Sequence, residues 1–433
     1  MSNLRIHFSL NNQHYEVNLS KSDVQNQIKV LVGGVEYALL GKPEGVAFIK
    51  ECFESLSSYS LENLEQAGKE LKSKLWMEGA RDISLSNGVR QTPLDIPQTV
   101  NSICSALEEN YVYPEVAKKC SDYLQKQLKE GAYEPISDIK VFAQALTADL
   151  RLISEDKHME VTLISQPEEP LVLPLTTPLE EVIDDFNRPV LINTVEFTPA
   201  TNIGWMGREK GSLPYELQTG YLSQDNTIAY MDLTVFGVCK ERDNTAEMKA
   251  DVANRKQAYI DAVERMSDAD TIIIDLRNND GGDPFAVQLL CSLFVDEGRP
   301  LNRIESRTAD GPKSQEFNTL SREELPKERR LLDKEIYVLI GPFTFSAAEE
   351  FSNNMKVLGR ATFVGEPSAG AANPGGPFQI NSDLAIFIPT GRAINPIQEG
   401  NWEGVGIIPE HMVPEREAFD QAVFLIQEKK HPL

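Results

Sequence analysis

Hydrophobic and polar positions along the chain fall into successive patterns. In LRIHFSL, HYEVNLS and IKVLVGGVEYALLG, within residues 1–42, they alternate with the period of two that a half-buried strand requires, and Asn11-Asn12 and Gly33-Gly34 supply turns. Residues 44–80 change to helical spacing, with Phe48, Cys52 and Leu56 and later Leu71 and Leu75. Residues 1–90 therefore read as a small N-terminal accessory α+β domain. Gln91-Thr92-Pro93-Leu94 breaks the pattern. From Ile96 to about Glu155 the spacing predicts three helices: Val100–Tyr111, Pro114–Lys129, and one carrying Phe142, Leu146, Leu150 and Ile153. Alternation returns in HMEVTLI, which puts His158 at a helix-to-strand switch inside a helical domain, residues 93–165. Residues 166–225 are proline-rich and mixed, an irregular connector that wraps the core or forms a flap over substrate. From 226 to 433 apolar strands (Ile228–Phe236, Thr271–Arg277, Ile336–Ile340, Ala361–Val364) alternate with amphipathic helices (Thr245–Met266, Pro284–Val295, one following Ser346, and Ala418–Ile426). Such alternation predicts an α/β core on a largely parallel sheet, with its working loops at the C-terminal ends of the strands.

Composition narrows what those loops can do. A chain of 433 residues with 41 % hydrophobic residues can bury several cores, so two or three domains are expected. The net charge of −24, with no run of Lys or Arg, argues against nucleic acid as a partner, because attraction to phosphate needs a basic face. Cys52, Cys104, Cys120, Cys239 and Cys291 are scattered and include no CxxC pair, which predicts reduced thiols rather than a disulfide framework or a zinc site. His7, His14, His158, His411 and His431 show no HExxH or paired-ligand spacing, so no metal or other cofactor is expected. MSNLRIHFSL lacks a basic stretch followed by an apolar one, and no segment approaches the length of a membrane span. The expectation is a cytoplasmic protein without a signal peptide, with non-classical export left open.

Three loops leave the ends of apolar strands. Asn278-Asn279-Asp280-Gly281-Gly282 follows TIIIDLR, and its adjacent glycines let backbone N–H groups face an anion. Gly341-Pro342-Phe343-Thr344-Phe345-Ser346 carries a serine at a helix mouth, where unpaired N–H groups and the positive dipole end gather. Gly365-Glu366-Pro367-Ser368-Ala369-Gly370-Ala371 is the third. Convergence of such loops is where a doubly wound sheet binds ligands. Two readings of Ser346 stand at this point: an ordinary helix cap, or a nucleophile beside an anion site.

The motifs DLRNNDGG, TFSAAEEF, VGEPSAG and WEGVGIIPE, in that order, resemble the tail-specific (C-terminal processing) serine peptidase family. ENYVYPEVAKK with LRLISEDKHMEV resembles the branch of that family containing interphotoreceptor retinoid-binding protein and its bacterial peptidase relatives. The match covers roughly residues 93–165 and 225–430. It implies a crotonase/ClpP-like α/β core with Ser346 as nucleophile and backbone N–H groups of Ala347, Gly281 and Gly282 as the oxyanion hole. Where much of the family has a base lysine, this chain has Ala371. Tricorn-type relatives instead use a histidine near a D-x-H motif and a glutamate from a late E-x-x-G-x-x-P loop; the matching residues are His158 and Glu403. A neutral imidazole, with an ordinary pKa of about 6.5, suits a serine proton, and a carboxylate would fix its tautomer. The tricorn-type serine before the histidine is replaced by Lys157, which is free to pair with Glu403. His411 is a second candidate base.

The resemblance implies a serine-type peptidase acting on peptides or proteins, near C-termini or in unfolded polypeptides. Two alternatives remain at this point. One is a non-catalytic carrier of apolar ligands, retinoid or fatty acid, on the same fold. The other is a crotonase-like acyl-CoA enzyme, for which the chain offers no basic cluster to meet a CoA phosphate.

Overall fold

The computed structural model describes residues 3–10, 13–21, 28–32, 35–41, 43–54, 74–75, 80–86, 95–136, 138–164, 188–197, 216–241, 245–308 and 310–430. The expected turns at Asn11-Asn12 and Gly33-Gly34, residues 55–73 of the expected helical stretch, the break at 91–94 and most of the 166–225 connector lie outside them. The chain forms two compact units. One comprises Met1–Glu155, Met159–Gln166 and Gly376–Ile388, and the other Asp156–His158, Pro167–Gly375 and Pro389–Leu433. The histidine expected on the helical domain thus counts with the larger unit.

In the first unit the alternating N-terminal segments pair antiparallel. Asn3–Leu10 meets Gln13–Lys21, and five strands form a sheet in the order 28–32, 35–41, 13–21, 3–10, 81–86. Alternation places Ile6 opposite Val17 and Phe8 opposite Tyr15, with the Phe8 and Tyr15 rings stacked at 5.2 Å. The helices Ile96–Asn110, Pro114–Lys129 and Ile139–Ser154 bury Val100, Ile103, Leu107, Leu124, Phe142, Leu146 and Leu150; of the positions the periodicity of the third marked, Ile153 is half-buried. Asp95 and Asp138 cap the first and third helices through their carboxylates, and Pro114 opens the second. A buried polar chain joins the sheet to the third helix. Ser9 Oγ lies 2.7 Å from His14 Nδ1, His14 Nε2 lies 3.3 Å from Asp149 Oδ2, and the Tyr133 hydroxyl donates to that same oxygen at 2.6 Å. This serine–histidine–aspartate set is closed to solvent and ties structure together. The strand Glu160–Leu163 then pairs antiparallel with Leu384–Pro389.

The larger unit is built on a seven-stranded mixed sheet, in the order 411–412, 362–365, 335–340, 271–275, 228–233, 217–221, 192–197. Its first five strands are parallel and the last two antiparallel. Because each parallel strand takes its place beside the previous one, the order does not reverse among the described residues, and they contain no switch point of the doubly wound kind. The loops instead gather along one edge because adjacent strands end side by side. The strands are covered on both faces. Ile272, Ile274, Ile336, Val338 and Ile340 pack into the cluster containing the helices Ala246–Arg265, Pro284–Phe294 and Ala347–Val357. Ile273, Tyr337 and Leu339 meet Ala418, Ala422 and Ile426 of the helix Ala418–Lys430. Two-sided burial explains why TIIID and EIYVLI read as unbroken apolar runs. A three-stranded sheet of 313–318, 300–306 and 391–394 went unpredicted; in Lys313–Asn318 only Phe317 is buried, so no alternation marks it.

Ile274 is fully buried at the centre of this sheet. Ile274→Ala is expected to lower unfolding free energy by about 3 kcal/mol through lost burial and a residual cavity. Urea denaturation measures this, and a loss under about 1 kcal/mol would contradict the packing described.

Candidate active site

The site sits within the larger unit, where the loops leaving the strands 271–275, 335–340 and 362–365 meet the turn Asp156–His158. After Ile340 the chain makes a tight loop held by Thr344, whose hydroxyl donates to the Leu276 carbonyl at 2.8 Å and accepts the Gly341 N–H at 3.0 Å. Ser346 follows at φ 53° and ψ −117°, a sharp turn between strand and helix. A non-glycine residue held there stores about 1–3 kcal/mol of strain, as in other strand-to-helix turns that expose a serine hydroxyl.

Glu349 holds the turn. This wholly buried carboxylate accepts the Ser346 N–H at 3.0 Å, the Ala371 N–H at 2.8 Å, the Gly370 N–H at 2.5 Å and the Ser368 hydroxyl at 2.6 Å. Burial pushes its carboxyl up to about 7 despite these four donors. Ser368 accepts in turn from the Ile407 N–H at 2.6 Å, so one carboxylate joins three loops. Ala371, at the position of the family's lysine, is fully buried, and its carbonyl accepts the Trp402 indole N–H at 3.1 Å.

Ser346 occupies the cap position, and its hydroxyl also has a second engagement: His158 Nε2 lies 2.8 Å from Ser346 Oγ. The His158 ring is buried and packs edge-on against Phe345 at 4.7 Å. Around it, one nitrogen of His158 and one oxygen each of Asp156 and Glu403 lie within 4.8 Å of one another. Asp156 Oδ1 accepts the His158 backbone N–H at 3.1 Å, and Asp156 Oδ2 accepts Asn373 Nδ2 at 2.9 Å. Glu403 accepts the Ala372 N–H at 2.6 Å; burial first, then the Asp156 charge, push its carboxyl up to about 8. Lys157 does not supply the expected partner for Glu403, since its ammonium donates to the Ala369 carbonyl. His411 lies in the short strand His411–Met412, opposite Val364, and takes no part in the Ser346–His158 contact.

The glycines fit a close approach. A Cβ on Gly281 would lie 2.7 Å from Ser346 Cβ and 2.9 Å from the Ala347 nitrogen, and φ is 102°. At Gly282, with φ 139°, a Cβ would meet the Phe236 carbonyl oxygen at 1.9 Å. The Gly281 N–H is given to Asn279 Oδ1 at 2.9 Å. Asn279, fully buried, also donates Nδ2 to the Leu233 carbonyl at 2.8 Å and accepts the Phe345 N–H at its own carbonyl at 3.0 Å, so it fixes the glycine loop against the serine loop. Ala347 and Gly282 remain as the donors of the expected set.

Comparison with known sequences decides the family. The model of peptidase family S41 matches residues 227–413, and that of the N-terminal domain of peptidase S41 in eukaryotic IRBP matches residues 87–190. The chain belongs to peptidase family S41. Solved structures similar to this S41 peptidase include a putative S41 protease from Bacteroides fragilis, at 18 % identity and TM-score 0.39, covering 47 % of this chain and 55 % of that one. A putative peptidase from Parabacteroides merdae is 14 % identical at TM-score 0.49, over 76 % of this chain and 96 % of that one. The photosystem II D1 C-terminal processing protease is 13 % identical at TM-score 0.39, over 74 % and 94 %. The assignment rests on the sequence models. Among the described residues no helix is long and apolar enough to cross a membrane.

Asn279, Glu349, Asn373 and Asp156 were assigned no role from sequence, yet each holds the S41 site in shape. Asp156 carried the one available signal, as the first residue of the D-x-H pattern.

One turn into the serine helix, Glu350 is also pushed up to about 8, by burial and then by Asp283. In the unfolded chain it ionises near 4.5. Between those values the fold retains a proton that the unfolded chain has lost, so stability falls as pH rises through this window. Denaturant titrations at pH 5 and pH 8 are expected to show a larger loss for the parent than for Glu350→Gln, by a few kcal/mol in order of magnitude. Equal losses would contradict the burial assigned to this carboxyl.

Proposed function

We propose that this S41 peptidase hydrolyses peptide bonds with Ser346 as nucleophile and His158 as general base, on peptides or proteins presented as C-termini or unfolded segments. The 2.8 Å contact of His158 Nε2 with a strained serine at a helix mouth carries the reading. Ser346 Oγ attacks the scissile carbonyl carbon as its proton passes to His158 Nε2. The carbonyl oxygen takes up negative charge, and the Ala347 and Gly282 N–H groups stabilise it; each such donor is typically worth about 3 kcal/mol in the transition state. Collapse breaks the C–N bond, and His158 returns its proton to the leaving amine. Water, deprotonated by the same imidazole, then releases the acyl group from Ser346.

The crotonase-like reading of the core belongs to this proposal. It is supported by parallel strands added in order and by the glycine loop beside the nucleophile. The carrier alternative has no observation in its favour, since a passive ligand shell has no need of a hydroxyl bonded to an imidazole at a strained turn. A reducing, cytoplasmic setting is part of the reading, supported by the five free and buried cysteines.

Ser346→Ala is expected to lower kcat/KM on an unstructured protein by about 10⁴-fold or more while leaving the thermal midpoint close to the parent's. Undiminished turnover by the pure variant would refute the nucleophile. The acid limb of kcat/KM is expected to report one group, and His158→Ala to abolish it along with most of the rate; a limb that persists in residual activity would assign another base.

A further inference from the structure

Resting on that reading of Ser346 and His158, we infer that Asp156 is the anion that positions His158, and that Glu403 stands beside it as the neutral member of a carboxyl pair. With Nε2 turned to Ser346, the imidazole presents Nδ1 on its other side, and the acidic groups gathered round the ring are Asp156 and Glu403. The two are served differently. Asp156, 1 % exposed, has a donor on each oxygen: the His158 N–H on Oδ1 and Asn373 Nδ2 on Oδ2. Donors to both oxygens favour the ionised form. The first of these bonds also closes a turn that fixes the carboxylate and the imidazole backbone together.

Glu403 takes backbone N–H groups of Ala372 and Asn373, the former on Oε2, while Oε1 is buried with no hydrogen-bond partner among the described residues. A buried anionic oxygen without donors is costly, whereas a protonated one carries a donor of its own. Two carboxylates this close do not ionise together cheaply, and the proton resides on the one that has a buried oxygen without a donor. The surrounding charges agree. Asp156 and then Glu349 push Glu403 upward, and Lys157, the adjacent cation, is turned to the Ala369 carbonyl. Where Glu403 keeps its proton, the pair carries one negative charge, on Asp156. Asp156 is a positioning residue: its bond to the His158 backbone N–H holds the imidazole beside Ser346, and its charge, close to the ring, stabilises the imidazolium that follows.

The test is the titration of His158, followed in ¹⁵N-histidine spectra of the full chain, with its signal identified by loss in His158→Ala. Glu403→Gln replaces one neutral group by another and is expected to leave the His158 pKa within about 0.3 unit, while Asp156→Asn removes a charge and is expected to lower it by about one unit or more. The acid limb of kcat/KM is expected to move with it. A fall of that size in Glu403→Gln, or none in Asp156→Asn, overturns the assignment. Should Asp156→Asn fail to fold, Asn373→Ala takes one donor off Asp156 and is expected to lower the His158 pKa by a smaller amount; no change there overturns it equally. Because the titration is read without substrate, it decides the roles of the two carboxyls even if Ser346 proves not to be the nucleophile.

Discussion

Four donors converge on the buried carboxylate of Glu349, and the working part of the molecule depends on that convergence. They come from the serine turn and from the loop 368–371, and Ser368 passes the link on to Ile407. The parallel strands bring these loops to one edge of the sheet but do not set their spacing. A carboxylate with four short hydrogen bonds does. It also balances the strain at Ser346, because a turn at positive φ persists only where its surroundings over-determine it.

From that anchor the site divides its labour among groups of different charge. Glu349 is occupied by three backbone N–H groups and the Ser368 hydroxyl, while His158 meets the Ser346 hydroxyl. His158 arrives on a three-residue turn whose own Asp156 accepts its backbone N–H, so imidazole and carboxyl travel as one piece. Asn373 ties that piece to the chain just past the Glu349 loop. Asn279 does the same for the glycine loop, and in doing so takes the Gly281 N–H. Buried side-chain amides appear at both joints, each with fixed bonds to a neighbouring loop.

Much of this was legible in the residues. TIIID and EIYVLI announced two-sided strands, Pro114 and Pro284 announced helix starts, and Ser346 and His158 stood out by position and by family motif. What could not be read were features fixed by tertiary contact alone. Lys313–Asn318 is a strand by pairing, with one buried side chain, and leaves no period in the sequence. The strand order has no reversal, and local alternation is blind to order. Glu349 carries no signal in the sequence that sets it apart from its neighbour Glu350; only the folded loops reveal it as a hub. The bond from the Gly281 N–H to Asn279 was equally hidden, because glycine signals where a backbone can go and not which neighbour claims its N–H.

The central claim is that one serine and one imidazole act on the same carbonyl. A peptidyl chloromethyl ketone tests it most directly, since its ketone carbon captures a nucleophilic serine while its methylene alkylates the adjacent imidazole. Tandem mass spectrometry of the treated protein should find the alkyl group on His158, and Ser346→Ala should lose it. Alkylation at another histidine or at a cysteine, or alkylation of His158 that persists without the Ser346 hydroxyl, would contradict the account.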